Sequence, residues 1–118
     1  MSAGDALIYK LVPRVAWQEA ERLGRFTGSP ADVADGYIHL STASQVAGTA
    51  AKHFAGMADL LLLTVSTADV APWLRWEPSR GGALFPHVYG HLPLSAVRAV
   101  TPVPLDGAGR HVFPDLLA

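Results

Sequence analysis

The run Leu60-Leu61-Leu62-Leu63-Thr64-Val65 restricts the fold more than any other stretch of the chain. Side chains alternate across a strand, so an unbroken apolar run puts hydrophobic groups on both faces and demands a covered, central position. Leucines also suit a helix, but Gly56 before the run and Pro72 after it leave the length of a strand. Residues 59–66 are therefore read as the central strand of a sheet. The run is far too short to span a bilayer, which takes about 20 apolar residues.

The remaining elements follow from periodicity. Residues 6–12 alternate as a strand, with Leu7, Tyr9 and Leu11 on one face and Ile8, Lys10 and Val12 on the other. Pro13 opens a helix in which Val15, Ala16, Glu19, Ala20 and Leu23 recur at helical spacing; Trp17 extends its apolar side and Gly24 stops it. Residues 25–28 are a connection, and Ser29-Pro30-Ala31-Asp32 caps one short helical turn. A second main helix is expected from 43 to 53 or 54, burying Val46, Ala47, Ala50, Ala51 and Phe54. A turn at 69–72 leads to a short strand at 73–77, followed by the polar loop Pro78-Ser79-Arg80-Gly81-Gly82. Extended structure resumes at 83–90, residues 93–95 turn, 96–103 form a last strand, and the tail from 104 is irregular.

The fold class expected is α+β: a split, mostly antiparallel sheet flanked by two main helices. No repeat or linker divides the chain, so one domain over 1–118 is expected, with its core at about 6–104. Charged residues make up only 16% of the chain, which excludes disorder. A net charge of -1 offers no basic face for nucleic acid, and zero cysteines exclude disulfides and thiolate chemistry. The first residues lack the pattern of an export signal, so a cytoplasmic protein is expected. There is no P-loop, Rossmann fingerprint or G-x-S-x-G. Of the histidines only His87 and His91 lie close in sequence, off any helix, so no metal site is expected. Oligomeric state is left open.

Chemistry concentrates at Asp35-Gly36-Tyr37-Ile38-His39-Leu40-Ser41. Asp-Gly marks a turn, after which Tyr37 and His39 share one strand face and Ile38 and Leu40 the other. Thr42 with Gln45 fits a capping box, so His39 and Ser41 should lie beside the next helix N-terminus, a plausible anion or nucleotide site. His39 either meets a ribose or phosphate or is a half-buried ring satisfied by backbone. Ser41 and Thr42 are more simply helix caps, which alone explains both, and Tyr9 and Tyr37 either stack on a base or pack in the core. Arg75 and Glu77 share a strand face, as a local ion pair or as a cation for phosphate and a carboxylate for a ribose hydroxyl. Arg80, followed by Gly81 and Gly82 in the polar loop, is a phosphate clamp that closes on ligand or a solvated loop charge.

Asp35-Gly36-Tyr37-Ile38-His39-Leu40-Ser41, Gln45, Arg75-Trp76-Glu77 and Phe85-Pro86-His87-Val88-Tyr89-Gly90 together resemble the domain of unknown function 952 family. The resemblance runs from Tyr9 to about Val103 and implies a fold without an activity. More distantly, Ile38-His39-Leu40-Ser41 resembles the middle motif of RNA 2′-phosphotransferases, a branch of the ADP-ribosyltransferase superfamily. Those enzymes carry Arg-His-Gly on the first strand, where this chain has Ile8-Tyr9-Lys10-Leu11. The resemblance implies an ADP-ribosyltransferase-like fold and a site for NAD or a related nucleotide. His39 and Glu77 would be catalytic, and Tyr9, Ser41, Arg75, Arg80, His87 and Tyr89 would bind ligand. A non-catalytic nucleotide or metabolite module is the alternative, and so is a protein-interaction domain using Trp73, Trp76 and Phe85.

Overall fold

Every residue of the leucine run is paired on both sides. In the computed structural model, which describes residues 6–116, the elements are β1 (Leu7–Pro13), α1 (Arg14–Leu23), β2 (Arg25–Phe26), α2 (Pro30–Asp35), β3 (Ile38–His39), α3 (Val46–His53), β4 (Leu60–Ser66), α4 (Thr67–Val70), β5 (Leu74–Pro78), β6 (Leu84–Val88), β7 (Leu92–Pro93) and β8 (Val97–Val103). Short 3-10 turns occupy Ala71–Trp73, Arg80–Gly82 and Leu94–Ala96. β4 lies between β1 and β8, β2 pairs with β7, and β6 lies between β3 and β5. All of these pairings are antiparallel. The chain is thus a mixed α+β structure with antiparallel sheets and a few helices.

Alternation along β1 and β4 makes two cores. Ile8, Val12, Leu61, Leu63 and Val65 pack with Ile38, Leu40 and Val88, and with Ala16, Trp17 and Ala20 of α1. Tyr9, Leu11, Leu60 and Leu62 pack on the other face with Val46 and Ala50 of α3. The two main helices therefore cover opposite faces of the β1-β4-β8 sheet. Among the described residues, no helix is long and apolar enough to cross a membrane.

A single bridge positions the site. Tyr9 and Ser41 exchange backbone hydrogen bonds at 2.8 Å in both directions, tying the chain just past β3 to β1. Leu40 donates to the Pro86 carbonyl at 3.0 Å, continuing the β3–β6 pairing. The sheet is split at this junction, and a cleft opens beside it.

Several local expectations change. Val15 is 72% exposed and Leu23 is also exposed, because at 100° per residue the side facing the sheet is Ala16, Trp17 and Ala20. Pro13 ends β1 and caps α1 rather than opening its first turn. In α3, Ala47 and Ala51 face solvent, and the buried line is Val46, Ala50 and Phe54, spaced by four. That helix begins at Val46, so Ser41 is not its cap; its backbone is spent on Tyr9 instead. Half of the Thr42–Gln45 box forms, with the Thr42 N–H donating to Gln45 Oε1 at 3.0 Å. The box at Ser29 and Asp32 is complete. Residues 25–28, expected as a plain connection, contain β2.

Candidate functional site

The register of the β3-β6-β5 sheet assembles one chemically rich face. His39 lies opposite His87, His87 opposite Arg75, and Phe85 opposite Glu77. Ile38, Val88 and Leu74 point the other way, into the core. Tyr37 packs against both imidazoles, with ring centroids 4.6 Å from His39 and 4.2 Å from His87. The His39 and His87 rings are 5.5 Å apart, edge to face.

Each histidine has a carboxylate behind it. His39 Nδ1 lies 2.6 Å from Asp32 Oδ1, and its Nε2 lies 2.9 Å from Asp35 Oδ2. His87 Nδ1 lies 2.8 Å from Glu77 Oε1, which also accepts the Tyr89 hydroxyl at 2.7 Å. No hydrogen bond to His87 Nε2 forms among the described residues. These contacts hold the Glu77 carboxyl below its usual range, the His87 bond most and the Tyr89 bond next. The same contact raises the Tyr89 phenol.

Asp32 is the buried hub. It is 2% exposed and meets Lys10 Nζ at 3.0 Å, the Ser29 N–H at 2.8 Å and the His39 N–H at 3.1 Å. Burial pushes its carboxyl up, but Lys10 and the bonds from Ser29 and His39 outweigh this and hold it below the ordinary value. Burial lowers the Lys10 ammonium in spite of Asp32 beside it. Two unlike charges removed from water together require each other.

A cleft of about 560 Å³ opens onto this hub. Its lining includes Lys10, Asp32, Asp35, His39, Thr49, Arg80 and His87. Arg80 donates to Thr49 Oγ1 at 3.2 Å and lies 5.0 Å from the Phe85 ring, with no carboxylate partner among the described residues. Gly48 makes this approach possible, since a Cβ there would come within 3.1 Å of the guanidinium.

Of the residues singled out in the sequence, Tyr9, His39, Ser41, Arg80 and His87 line the cleft. Arg75, Glu77 and Tyr89 do not; they sit behind His87, with Arg75 5.0 Å over the Tyr89 ring. Of the aromatic trio proposed as an interface, Trp73 is exposed, Trp76 packs on the core and Phe85 is buried. Lys10, Asp32, Asp35, Thr49 and His53 were not anticipated as cleft residues. A lysine on the apolar Ile8-Val12 face was the one available signal, since a buried lysine demands a partner. Among the described residues, no group of three His, Asp or Glu side chains is arranged to hold a metal ion.

The family described as Protein of unknown function (DUF952) matches residues 11–100. The crystal structure of protein CC0527 from Caulobacter crescentus is 47% identical, with a TM-score of 0.86, covering 90% of this chain and 93% of that chain. The solution NMR structure of the same Caulobacter crescentus protein is 48% identical, with a TM-score of 0.80, over 89% of this chain and 90% of that one. No curated protein matches the chain.

Proposed function

The chain belongs to the DUF952 family, whose description carries no activity, and from that premise we propose that the cleft binds a phosphate-bearing nucleotide of the NAD or ADP-ribose class. The observation that carries this reading is the joint presence in one cleft of the Arg80 guanidinium, which has no carboxylate partner among the described residues, and the His39 imidazole, oriented by a buried carboxylate. A guanidinium with free donors meets phosphate oxygens in a fork. The hydroxyls of Ser41 and Thr49 bond each other at 2.9 Å and form a polar wall, Asp35 suits a ribose hydroxyl, and the rings of Tyr9 and Phe85 supply apolar wall. His39 is the proton-carrying residue, and Glu77 acts through His87 as a positioning residue.

The finer form of this proposal is a transferase acting on ADP-ribose or phosphate groups, with an ADP-ribosyltransferase-like fold. Its support is the Ile38-His39-Leu40-Ser41 run and the order of the strands around it. A non-catalytic nucleotide module is the second reading. It is favoured by Ile8-Tyr9-Lys10-Leu11 in place of Arg-His-Gly, and by the Glu77 carboxylate being held behind His87, where it cannot support an oxocarbenium ion. In both forms we take 1–118 as one domain, working in the cytoplasm.

Thermal unfolding with NAD, ADP-ribose and mononucleotides tests the shared claim. A ligand at a hundredfold its Kd stabilises by about 2.7 kcal/mol. A shift that is lost in Arg80→Ala is the expected result. Failure of every phosphate-bearing ligand to move the wild-type midpoint overturns it.

A further inference from the structure

Two imidazoles, each with its Nδ1 held by a separate carboxylate, border one cleft with rings 5.5 Å apart. Their surroundings differ in a way that divides the labour. His39 faces a carboxylate at both nitrogens, an arrangement satisfied fully when both carry protons. His87 has a carboxylate at Nδ1 alone, which fixes that proton there and leaves Nε2 as an acceptor. Tyr37 lies against both rings, and Tyr89 and Arg75 brace the Glu77 end.

We infer that His39 and His87 act as an acid–base pair that hydrolyses a phosphodiester bond of a nucleotide held in the cleft. The inference rests on the reading above that the cleft takes a phosphate-bearing nucleotide, and it narrows the substrate to one whose phosphate is esterified to two alcohols, in place of the anhydride of NAD. Water gives a proton to His87 Nε2 as its oxygen bonds to phosphorus. The ester P–O bond breaks, and the departing alkoxide takes the Nε2 proton of His39 in place of Asp35. The products are a phosphomonoester and an alcohol. His87 is left protonated and His39 neutral, and one proton exchanged through solvent restores both. Nothing is oxidised or reduced. Arg80, on the same cleft, faces the non-bridging oxygens. A diester is the class selected because an alkoxide leaves badly without a proton, and a placed imidazolium supplies one at that moment.

The chain 1–118 and the thymidine dinucleotide TpT, whose departing sugar alkoxide needs a proton and which has no 2′-hydroxyl to attack in place of water, provide the test by chromatography of the products, alongside ADP binding followed by thermal shift. Turnover should rise and fall with pH, because one ring must be neutral and the other charged. The charged groups bearing on that profile are Lys10, Asp32 and Asp35 around His39, Arg75 and Glu77 around His87, and Arg80 and His53 across the cleft. His39→Gln and His87→Gln should each lower kcat by about 10²–10⁴-fold, and the double variant little further, as for residues acting as a unit. Glu77→Gln should lower kcat at unchanged KM and move one limb of the profile; it reads the same arm if His87→Gln fails to fold. ADP binding without turnover, or turnover indifferent to His87→Gln and Glu77→Gln, overturns the pair and leaves the nucleotide reading standing. Turnover that depends on both histidines without ADP binding does the opposite.

Discussion

Asp32 and His39 meet twice: one carboxylate oxygen, Asp32 Oδ1, accepts the His39 backbone N–H at 3.1 Å and faces the ring Nδ1 at 2.6 Å. The other oxygen accepts the Ser29 N–H at 2.8 Å and pairs with Lys10 Nζ at 3.0 Å. A helix cap, a buried ion pair, a strand end and the orientation of an imidazole therefore depend on two atoms. Stability and site geometry cannot be varied independently at this position.

Replacing Asp32 with Asn should be costly for that reason. The variant leaves Lys10, only 7% exposed, with its charge uncompensated. Breaking a buried pair from one side costs about 3–5 kcal/mol. Lys10→Met in the same background should recover much of the loss, because the orphaned charge is gone. Urea unfolding of the two variants reads both numbers, and a loss below about 1 kcal/mol for Asp32→Asn would show that the pair contributes little.

How much of this could be read from the chain varies by element. The Leu60-Val65 run announced a central strand because nothing else accommodates apolar groups on both faces, and β4 is that strand. The shared face of Tyr37 and His39 followed from alternation. Asp32 was legible only as a cap, since its bond to Lys10 spans 22 positions and no local pattern encodes a partner that distant. The two-residue strands β2 and β7 pair across a still longer separation and are too short for periodicity to register. Glu77 and Arg75 were correctly placed on one face, but which side of His87 the cleft occupies depends on how the sheets meet at Tyr9 and Ser41.

Acid should weaken the fold through the same carboxylate. The Asp32 pKa is held below its ordinary value in the folded state. Its stabilisation is thus complete above the unfolded carboxylate pKa of about 3.9, and is lost as pH falls through the lower folded value. Lys10 has the opposite consequence: its lowered pKa makes folding less favourable at neutral pH, and this cost shrinks as pH rises toward the ordinary lysine range. Unfolding midpoints measured from pH 7 down to 2 should fall, with a shallower slope in Asp32→Asn. Equal slopes in the two proteins would assign the acid sensitivity elsewhere.

Gly48→Ala separates the helix from the clamp. Alanine in a helix is favoured over glycine by up to about 1 kcal/mol. The new Cβ would sit 3.1 Å from the end of the Arg80 side chain, which can swing away. Global stability should therefore hold or rise, while the affinity for a phosphate-bearing ligand falls several-fold. If affinity is unchanged, Arg80 does not need its present position to bind.

Tyr89 reports whether Glu77 is charged and in place. A phenol donating to a carboxylate is stabilised in its protonated form, and ionising it would set two negative charges 2.7 Å apart; its pKa is raised accordingly. In Glu77→Gln the amide oxygen still accepts the hydroxyl but carries no charge, so the phenol should titrate lower, toward the ordinary value of about 10. Arg75, 5.0 Å from the ring, works in the other direction, and Arg75→Ala should raise the phenol further. Difference titrations of the tyrosine absorbance against wild type isolate these two shifts, since Tyr9 and Tyr37 are present in all three proteins. Shifts of opposite sign identify Glu77 as the ionised partner of Tyr89, the state in which it can hold the His87 Nδ1 proton 2.8 Å away. Shifts of the same sign would mean that the Glu77 contact is not the dominant influence on Tyr89, and the support behind His87 would have to be reassigned.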